Sequence, residues 1–423
     1  MKNIMVNILN KRTIILLSIF LTAVFLRLAG NFIREVYVFN KPFAFYGDEL
    51  SKNYASHEIW YGKTAEALYA GKGIGAIDIN FYTNPAELLN RNDVLLRQIG
   101  STSYYYHNYI APLYPVFLAL FFLLFGVSTW AFFLPQVLIG ALTCVLIYIL
   151  AEELFDTKTA FLSAIAVTFY PDLIFWTYTM RPETIFIFFL TLSFWLIHKG
   201  TMEVRFPLLA AGAASYGLVC LTRNSFTPFI PILIFWVLMA WDGSIKKKLL
   251  AVLISTIVVS AVLFPWALHN KIVFHRFSPM LSEVSNIQAF KMSINPRYTG
   301  PSSKETLITL VRQNPAASAR HFAKKFIYFW GAFGSESKPF ARIYKTTVWI
   351  IIFPLAFWGI FRIGERWSRV FLLYVFILYY SIVHSFSFVD YGLILRYPIQ
   401  PFISIFFAYG FFNFYERLKL PKN

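Results

Sequence analysis

A chain of 423 residues that is 58% hydrophobic and only 14% charged lacks the makeup of a water-soluble domain, in which roughly a quarter of the residues are charged. Its formal charge of +17, from 38 basic and 21 acidic residues, would raise nucleic acid as a partner in a soluble protein. In a membrane protein the excess fits basic loops kept in the cytoplasm beside anionic headgroups, so membrane lipids are expected as partners and nucleic acid is not.

The apolar segments run, in chain order, over 13–30, 109–125, 129–152, 159–177, 183–198, 206–222, 226–241, 249–267, 347–361, 370–388 and 398–414. The first follows Lys11-Arg12, and no A-x-A cleavage site follows it, so it reads as a retained helix. The second is short and carries Pro112 and Pro115 near its start, where proline suits a first helical turn. Loop charge tests whether it crosses. If it does not, Lys11, Arg12, Lys158, Lys199, Arg205, Lys246, Lys247, Lys248, Arg362, Arg366, Arg369, Arg417 and Lys419 share the inside, and the short outer turns keep Arg181, Arg223 and Arg396. If it crosses, Lys246–Lys248 and the basic C-terminal stretch fall outside. The expectation is therefore an all-α polytopic membrane protein with about ten spanning helices and both termini cytoplasmic. Segment 109–125 becomes an interfacial helix, and two large loops, 31–108 and 268–346, share the non-cytoplasmic face. The whole of 1–423 reads as a single membrane domain, without an internal repeat. Cys144 and Cys220 lie in apolar runs and form no disulfide framework or metal-type cluster.

Ionisable groups near a bilayer cost about 3 kcal/mol or more and tend to mark function. The outer ends of the helices collect them: Asp48 and Glu49 in YGDELSKNYA, His107 in YYYHNYIAP, Arg181 and Glu183 in YTMRPETIF, Arg223, the His269-Asn270-Lys271 run, and Arg396-Tyr397. A pocket ringed by carboxylates and guanidiniums suits a lipid phosphate and an acceptor hydroxyl or amine, with a carboxylate as general base and arginines on the leaving phosphate. Each member also has a plainer reading. Asp48-Glu49 and Glu183 suit helix termini, Arg27, Arg223 and Arg396 suit snorkelling to headgroups, and His107 suits interfacial packing.

Four stretches carry a family resemblance: YGDELSKNYA; the run from Tyr109 through Phe155; YPDLIFWTYTMRPETIFIFFLTLSFWL; and, more loosely, FPWALHNKIVFHRFSP with RYPIQPFISIFFAYG. The chain resembles the C-type (GT-C) membrane glycosyltransferases, especially relatives of the dolichyl-phosphate-mannose–protein mannosyltransferases and aminoarabinose transferases of glycosyltransferase family 39. The resemblance implies a GT-C fold with a juxtamembrane helix in the first outer loop. It implies transfer of a sugar from a polyprenyl-phosphate donor to an extracytoplasmic glycan, lipid or protein by inverting single displacement, at a plasma (inner) membrane. It makes Asp48 the base, Glu49 its neighbour and Glu183 the second acidic position. His107, Arg181, Arg223, Asn270, Arg396 and Tyr397 remain as substrate-binding candidates. No cofactor is required, and Asp48, Glu49 and Glu183 are the oxygens a divalent ion would take. Relatives acting on lipid A carry a lysine just before the juxtamembrane proline; Asn108-Tyr109-Ile110-Ala111 stand there instead, so the phosphate contact falls to Arg223, Arg396 or His107. A membrane transporter or flippase is the competing class, with charges at mid-membrane depth and paired halves.

Overall fold

The structure, a computed structural model, describes residues 2–38, 56–78, 94–99, 102–107, 110–279, 311–313, 315–331, 339–385 and 396–419. Asp48 and Glu49 lie outside them. Every apolar segment read from the sequence holds helix. In chain order these are α1 (Lys2–Val38), α2 (Ser56–Tyr69), α3 (Leu113–Phe125), α4 (Thr129–Leu154), α5 (Thr157–Thr168), α6 (Pro171–Phe175), α7 (Glu183–Met202), α8 (Phe206–Thr222), α9 (Ile230–Ala240), α10 (Ile245–Phe274), α11 (Pro315–Trp330), α12 (Pro339–Phe361), α13 (Trp367–Ser385) and α14 (Gln400–Lys419). The protein is an integral membrane protein. Among the described residues, Lys11–Ile33, α4, α7, α10 and Gly364–Ser385 are each long and apolar enough to cross a bilayer alone. On α1 the exposed side chains Ile14, Leu17, Leu21, Phe25, Leu28 and Phe32 recur at three- and four-residue steps, a stripe that only lipid would tolerate.

Segment 159–177 is not straight. Its two halves, Thr157–Thr168 and Pro171–Tyr178, meet at 57°. Pro171 has no N–H to give and biases Tyr170 away from the helical region, and Tyr170 is extended at φ −72°, ψ 118°. Segment 226–241 likewise begins as a 3₁₀ turn, Asn224–Phe229, with Pro228 inside it, before α9.

The long loop 31–108 holds, among its described residues, more than the turns and helical pieces its sequence suggested. Three strands, β1 (Ala76–Asp78), β2 (Val94–Ile99) and β3 (Thr102–His107), form an antiparallel sheet in the order β1-β3-β2. Ile99 pairs with Thr102 and Ala76 with Tyr106. The helical membrane fold thus carries one small sheet. Helix α3, 13 residues long, spans about 20 Å at 1.5 Å per residue, short of the roughly 30 Å of hydrocarbon. It buries Tyr114, Leu118 and Phe122 on one face and exposes Leu120, Leu123 and Leu124 on the other.

The chain divides into two compact units, one of residues 1–150 and 164–281, the other of residues 151–163 and 282–423. In the first, α7 and α8 pack antiparallel at close range. Ser193 Oγ donates to Gly212 O at 2.9 Å and Ser215 Oγ to Phe189 O at 2.9 Å. Small residues and interhelical hydrogen bonds replace the hydrophobic drive that lipid removes. A core of Ala65, Tyr114, Leu118, Phe122, Phe132, Val137, Met180 and Ile185 joins α2, α3, α4 and α7. Arg27, expected to snorkel, instead is 1% exposed inside this unit. It donates to Ala23 O at 3.1 Å and to Cys144 Sγ at 3.6 Å. Gly140 makes the slot, since a Cβ there would sit 2.7 Å from Arg27 Nε.

In the second unit, Gly359 of α12 faces Gly410 of α14. A Cβ on Gly410 would collide with Leu355 O and with the Gly359 backbone. Trp349 Nε1 donates to Trp330 O at 3.1 Å, and Phe155 stacks on Tyr409 with ring centroids 4.3 Å apart.

Candidate active site

Two of the charged turns expected to converge, those carrying Arg181-Glu183 and Arg223, meet in the first unit. The turn between α6 and α7 begins with the short 3₁₀ piece Trp176–Tyr178 and ends at Pro182, which precedes Glu183 at the head of α7. Arg223 follows α8 in an extended conformation, φ −150°, ψ 109°, so its side chain leaves the helix axis. Its guanidinium reaches Glu183 Oε1 at 2.5 Å. Glu183 is buried, its side chain 4% exposed, while that of Arg223 keeps 29%. The Glu183 carboxylate therefore serves as more than a helix terminus: it is a buried charge held by a guanidinium from another helix. Arg181 lies on the same turn, 5.5 Å from the Trp176 ring centroid, and Arg223 lies 6.0 Å from that of Phe186. Among the described residues, two guanidiniums stand with one carboxylate on these turns, an arrangement that can receive an anion.

Helix α2, from the long loop 31–108, adds Tyr61 to this cluster. Tyr61 feels the charges of Arg223, Glu183 and Arg181 together. Burial pushes its hydroxyl up to about 12; Arg223 opposes the rise, Glu183 adds to it and Arg181 opposes it. The Tyr61 ring packs edge-on against Tyr114 at 5.2 Å. Tyr114 Oη donates to Gln136 Oε1 at 3.2 Å, and Gln136 Nε2 donates to Thr177 O at 3.1 Å and Thr179 O at 2.9 Å. One buried amide thus fixes the turn that carries Arg181 and Glu183 and also fixes the ring beneath Tyr61. Sequence reasoning passed over Gln136, although a lone amide within FLPQVLIG was a usable signal, since polar groups inside the membrane are rare and tend to be functional. Tyr61 and Tyr114 gave no such signal in so aromatic a chain. Gln136→Leu is expected to strip the amide donor from both carbonyls, lower stability by about 2 kcal/mol and shift the midpoint of thermal unfolding in detergent downward.

The other candidates lie elsewhere. Asn270 is buried near the end of α10, where its Nδ2 donates to Ser278 O at 2.8 Å, and Val273 and Phe274 of the same helix pack on Ala67 and Ala76. Val273 and Phe274, rather than Asn270 itself, seat that end against α2 and β1. His107 ends β3, paired with Val94. Arg396, in the second unit, is buried. It donates to Trp330 O at 3.4 Å and Gly331 O at 3.0 Å at the end of α11, with its guanidinium 3.7 Å above the Trp349 ring. That geometry caps the carbonyl end of α11. Tyr397 beside it is buried as well. Among the described residues, no three His, Cys, Asp or Glu side chains group as metal ligands would.

With this arrangement in view, likeness to known proteins becomes informative. Along most of its length the chain superimposes on archaeal oligosaccharyltransferase AglB from Archaeoglobus fulgidus, solved in complex with an inhibitory peptide and a dolichol-phosphate. The TM-score is 0.58 at 10% identity, over 95% of this chain and 50% of AglB. The chain shares the fold of that oligosaccharyltransferase. Residues 110–268 match the family model described as dolichyl-phosphate-mannose-protein mannosyltransferase. The chain is 27% identical over 147 residues to the putative mannosyltransferase YkcB, and 24% identical over 151 residues to the putative mannosyltransferase YycA, both of Bacillus subtilis (strain 168). These stretches are 34% and 35% of this chain and 20% and 22% of the relatives, so the match covers about a fifth of each Bacillus protein. The matched family segment contains α3 to α8, Gln136, Arg181, Glu183 and Arg223, the residues that build the site.

Proposed function

We propose that this protein is a polyprenyl-phosphate-sugar-dependent glycosyltransferase. It moves a sugar from a lipid-phosphate donor to an extracytoplasmic acceptor, whether glycan, lipid or protein, by inverting single displacement. The observation that carries the reading is the Glu183–Arg223 pair with Arg181 on the same turn: a buried carboxylate with two partly exposed guanidiniums at the ends of membrane helices, inside the segment that matches the mannosyltransferase family model. A dolichol-phosphate in AglB supports a lipid-linked phosphate as the anion.

In this mechanism the acceptor O–H attacks the anomeric carbon. The new C–O bond forms as the sugar–phosphate C–O bond breaks, the proton passes to Asp48, and the electron pair leaves on polyprenyl phosphate. Arg181 and Arg223 lower the energy of the charge developing on that phosphate. Glu183 holds Arg223 in place and borders the acceptor. Glu49 supports Asp48, and Asn270 ties the end of α10 to Ser278. His107 adds to the substrate surface from the end of β3, whereas Arg396 and Tyr397, buried in the second unit, support that unit's packing. A divalent ion would be taken by Asp48 and Glu49, because Glu183 already faces a guanidinium. Both compact units act as one enzyme. About ten helices cross a plasma (inner) membrane, with α3 at the interface, both termini cytoplasmic and the site on the extracytoplasmic face, as the basic loops favour.

Mass spectrometry of lipid extracts and envelope glycans from cells lacking the protein tests this. The null is expected to accumulate a polyprenyl-phosphate sugar and lose one glycan modification. Wild type is expected to restore the profile, and Asp48→Asn is expected to transfer about 10³-fold more slowly. A normal profile in well-expressed Asp48→Asn would remove Asp48 as the base.

A further inference from the structure

Tyr61 stands apart among the groups around the charged cluster. It belongs to α2, comes from a loop rather than a membrane helix, and is only half-buried. Its ring is seated on Tyr114, which Gln136 holds through its hydroxyl. The position of the ring is therefore set by the same amide that sets the Arg181–Glu183 turn. Its hydroxyl makes no hydrogen bond to any described residue, although Arg223, Glu183 and Arg181 all act on it electrostatically. A phenol built rigidly into a charged cluster, with its polar atom uncommitted among the described residues, has the form of a ligand contact.

We propose that Tyr61 is a third phosphate ligand of the donor site, its hydroxyl donating a hydrogen bond to an oxygen of the lipid-linked phosphate that Arg181 and Arg223 attract. The inference rests on the donor reading above and adds a residue and a role to it. The chemistry favours a neutral donor here. A third cation would deepen binding of donor and departed phosphate alike, whereas an O–H adds direction at lower cost to product release. Burial keeps that proton on the oxygen through the physiological range.

The test uses the full chain in phosphatidylcholine nanodiscs, with undecaprenyl phosphate, neutral undecaprenol and inorganic phosphate as probes. Tyr61→Phe keeps the ring on Tyr114, so its thermal midpoint is expected to match wild type. Its affinity for undecaprenyl phosphate is expected to fall about tenfold, with undecaprenol unchanged. The ratio of the two affinities is expected to stay flat between about pH 8 and 9.5, where the phosphate is already dianionic and the hydroxyl remains protonated. Equal affinity of wild type and Tyr61→Phe, with wild type still preferring the phosphorylated lipid, overturns the role of Tyr61 alone. Wild type that does not distinguish undecaprenyl phosphate from undecaprenol overturns the donor reading and this role together. Competition by inorganic phosphate at the lipid's own affinity overturns the assignment to a lipid-linked phosphate.

Discussion

Arg223→Ala is expected to cost both stability and transfer, and the two losses separate in a double-mutant cycle. Removing Arg223 leaves the Glu183 carboxylate in a site where it is 4% exposed. Breaking a fully buried pair costs about 3–5 kcal/mol; with Arg223 partly open to solvent, about 2–3 kcal/mol is expected. Transfer is expected to fall about 10²–10³-fold through loss of a cation at the leaving phosphate. Glu183→Gln in the same background removes the stranded charge, so the double variant is expected to recover most of the thermal midpoint and none of the activity. Were Arg223→Ala as stable and as active as wild type, the pair would be an ordinary exposed salt bridge, worth little to either property.

Gly410→Leu is expected to be the most disruptive single change in the second unit. The new side chain would meet Leu355 O and the Gly359 backbone, atoms that cannot swing aside as a side-chain tip does. Helices α12 and α14 must then separate, at a cost of about 3 kcal/mol or more. Gly126→Ala provides the contrast. A Cβ there meets nothing within 4 Å, but the backbone sits at φ 66°, ψ 179°, a region left essentially to glycine, so about 1–3 kcal/mol of backbone strain is expected. Thermal unfolding of the purified variants in one detergent ranks the two. A milder Gly410→Leu would show that the helices are not held backbone to backbone.

How far the sequence carried depends on which force shaped each part. Lipid imposes a strong and simple demand, and apolar length answered it. Segments 129–152, 183–198 and 206–222 became Thr129–Leu154, Glu183–Met202 and Phe206–Thr222. The convergence of Arg181, Glu183 and Arg223 was also legible, because helices of alternating direction return every second turn to the same side. What the sequence hid depends on tertiary choice. VLLRQI and TSYYYH are separated only by Gly100-Ser101, a two-residue hairpin spacing, yet inside a loop taken to be irregular the signal went unread. Arg27 looked like a snorkelling residue because the glycine that admits it lies on another helix. Gln136 and Tyr61 matter through partners far apart in sequence, which periodicity does not report.

The slot at Gly140 has a consequence for biosynthesis. Arg27 and Gly140 are 113 residues apart in the chain, so at about 5–20 residues per second a ribosome takes roughly 6–23 s to supply the second after the first. Through that interval α1 is in the bilayer with a guanidinium whose final niche does not yet exist. Its only refuge is the headgroup layer, reached by stretching the side chain outward. Docking of α4 then draws the charge inward and fixes the first helix in register, so the last step in seating α1 belongs to a helix made long after it.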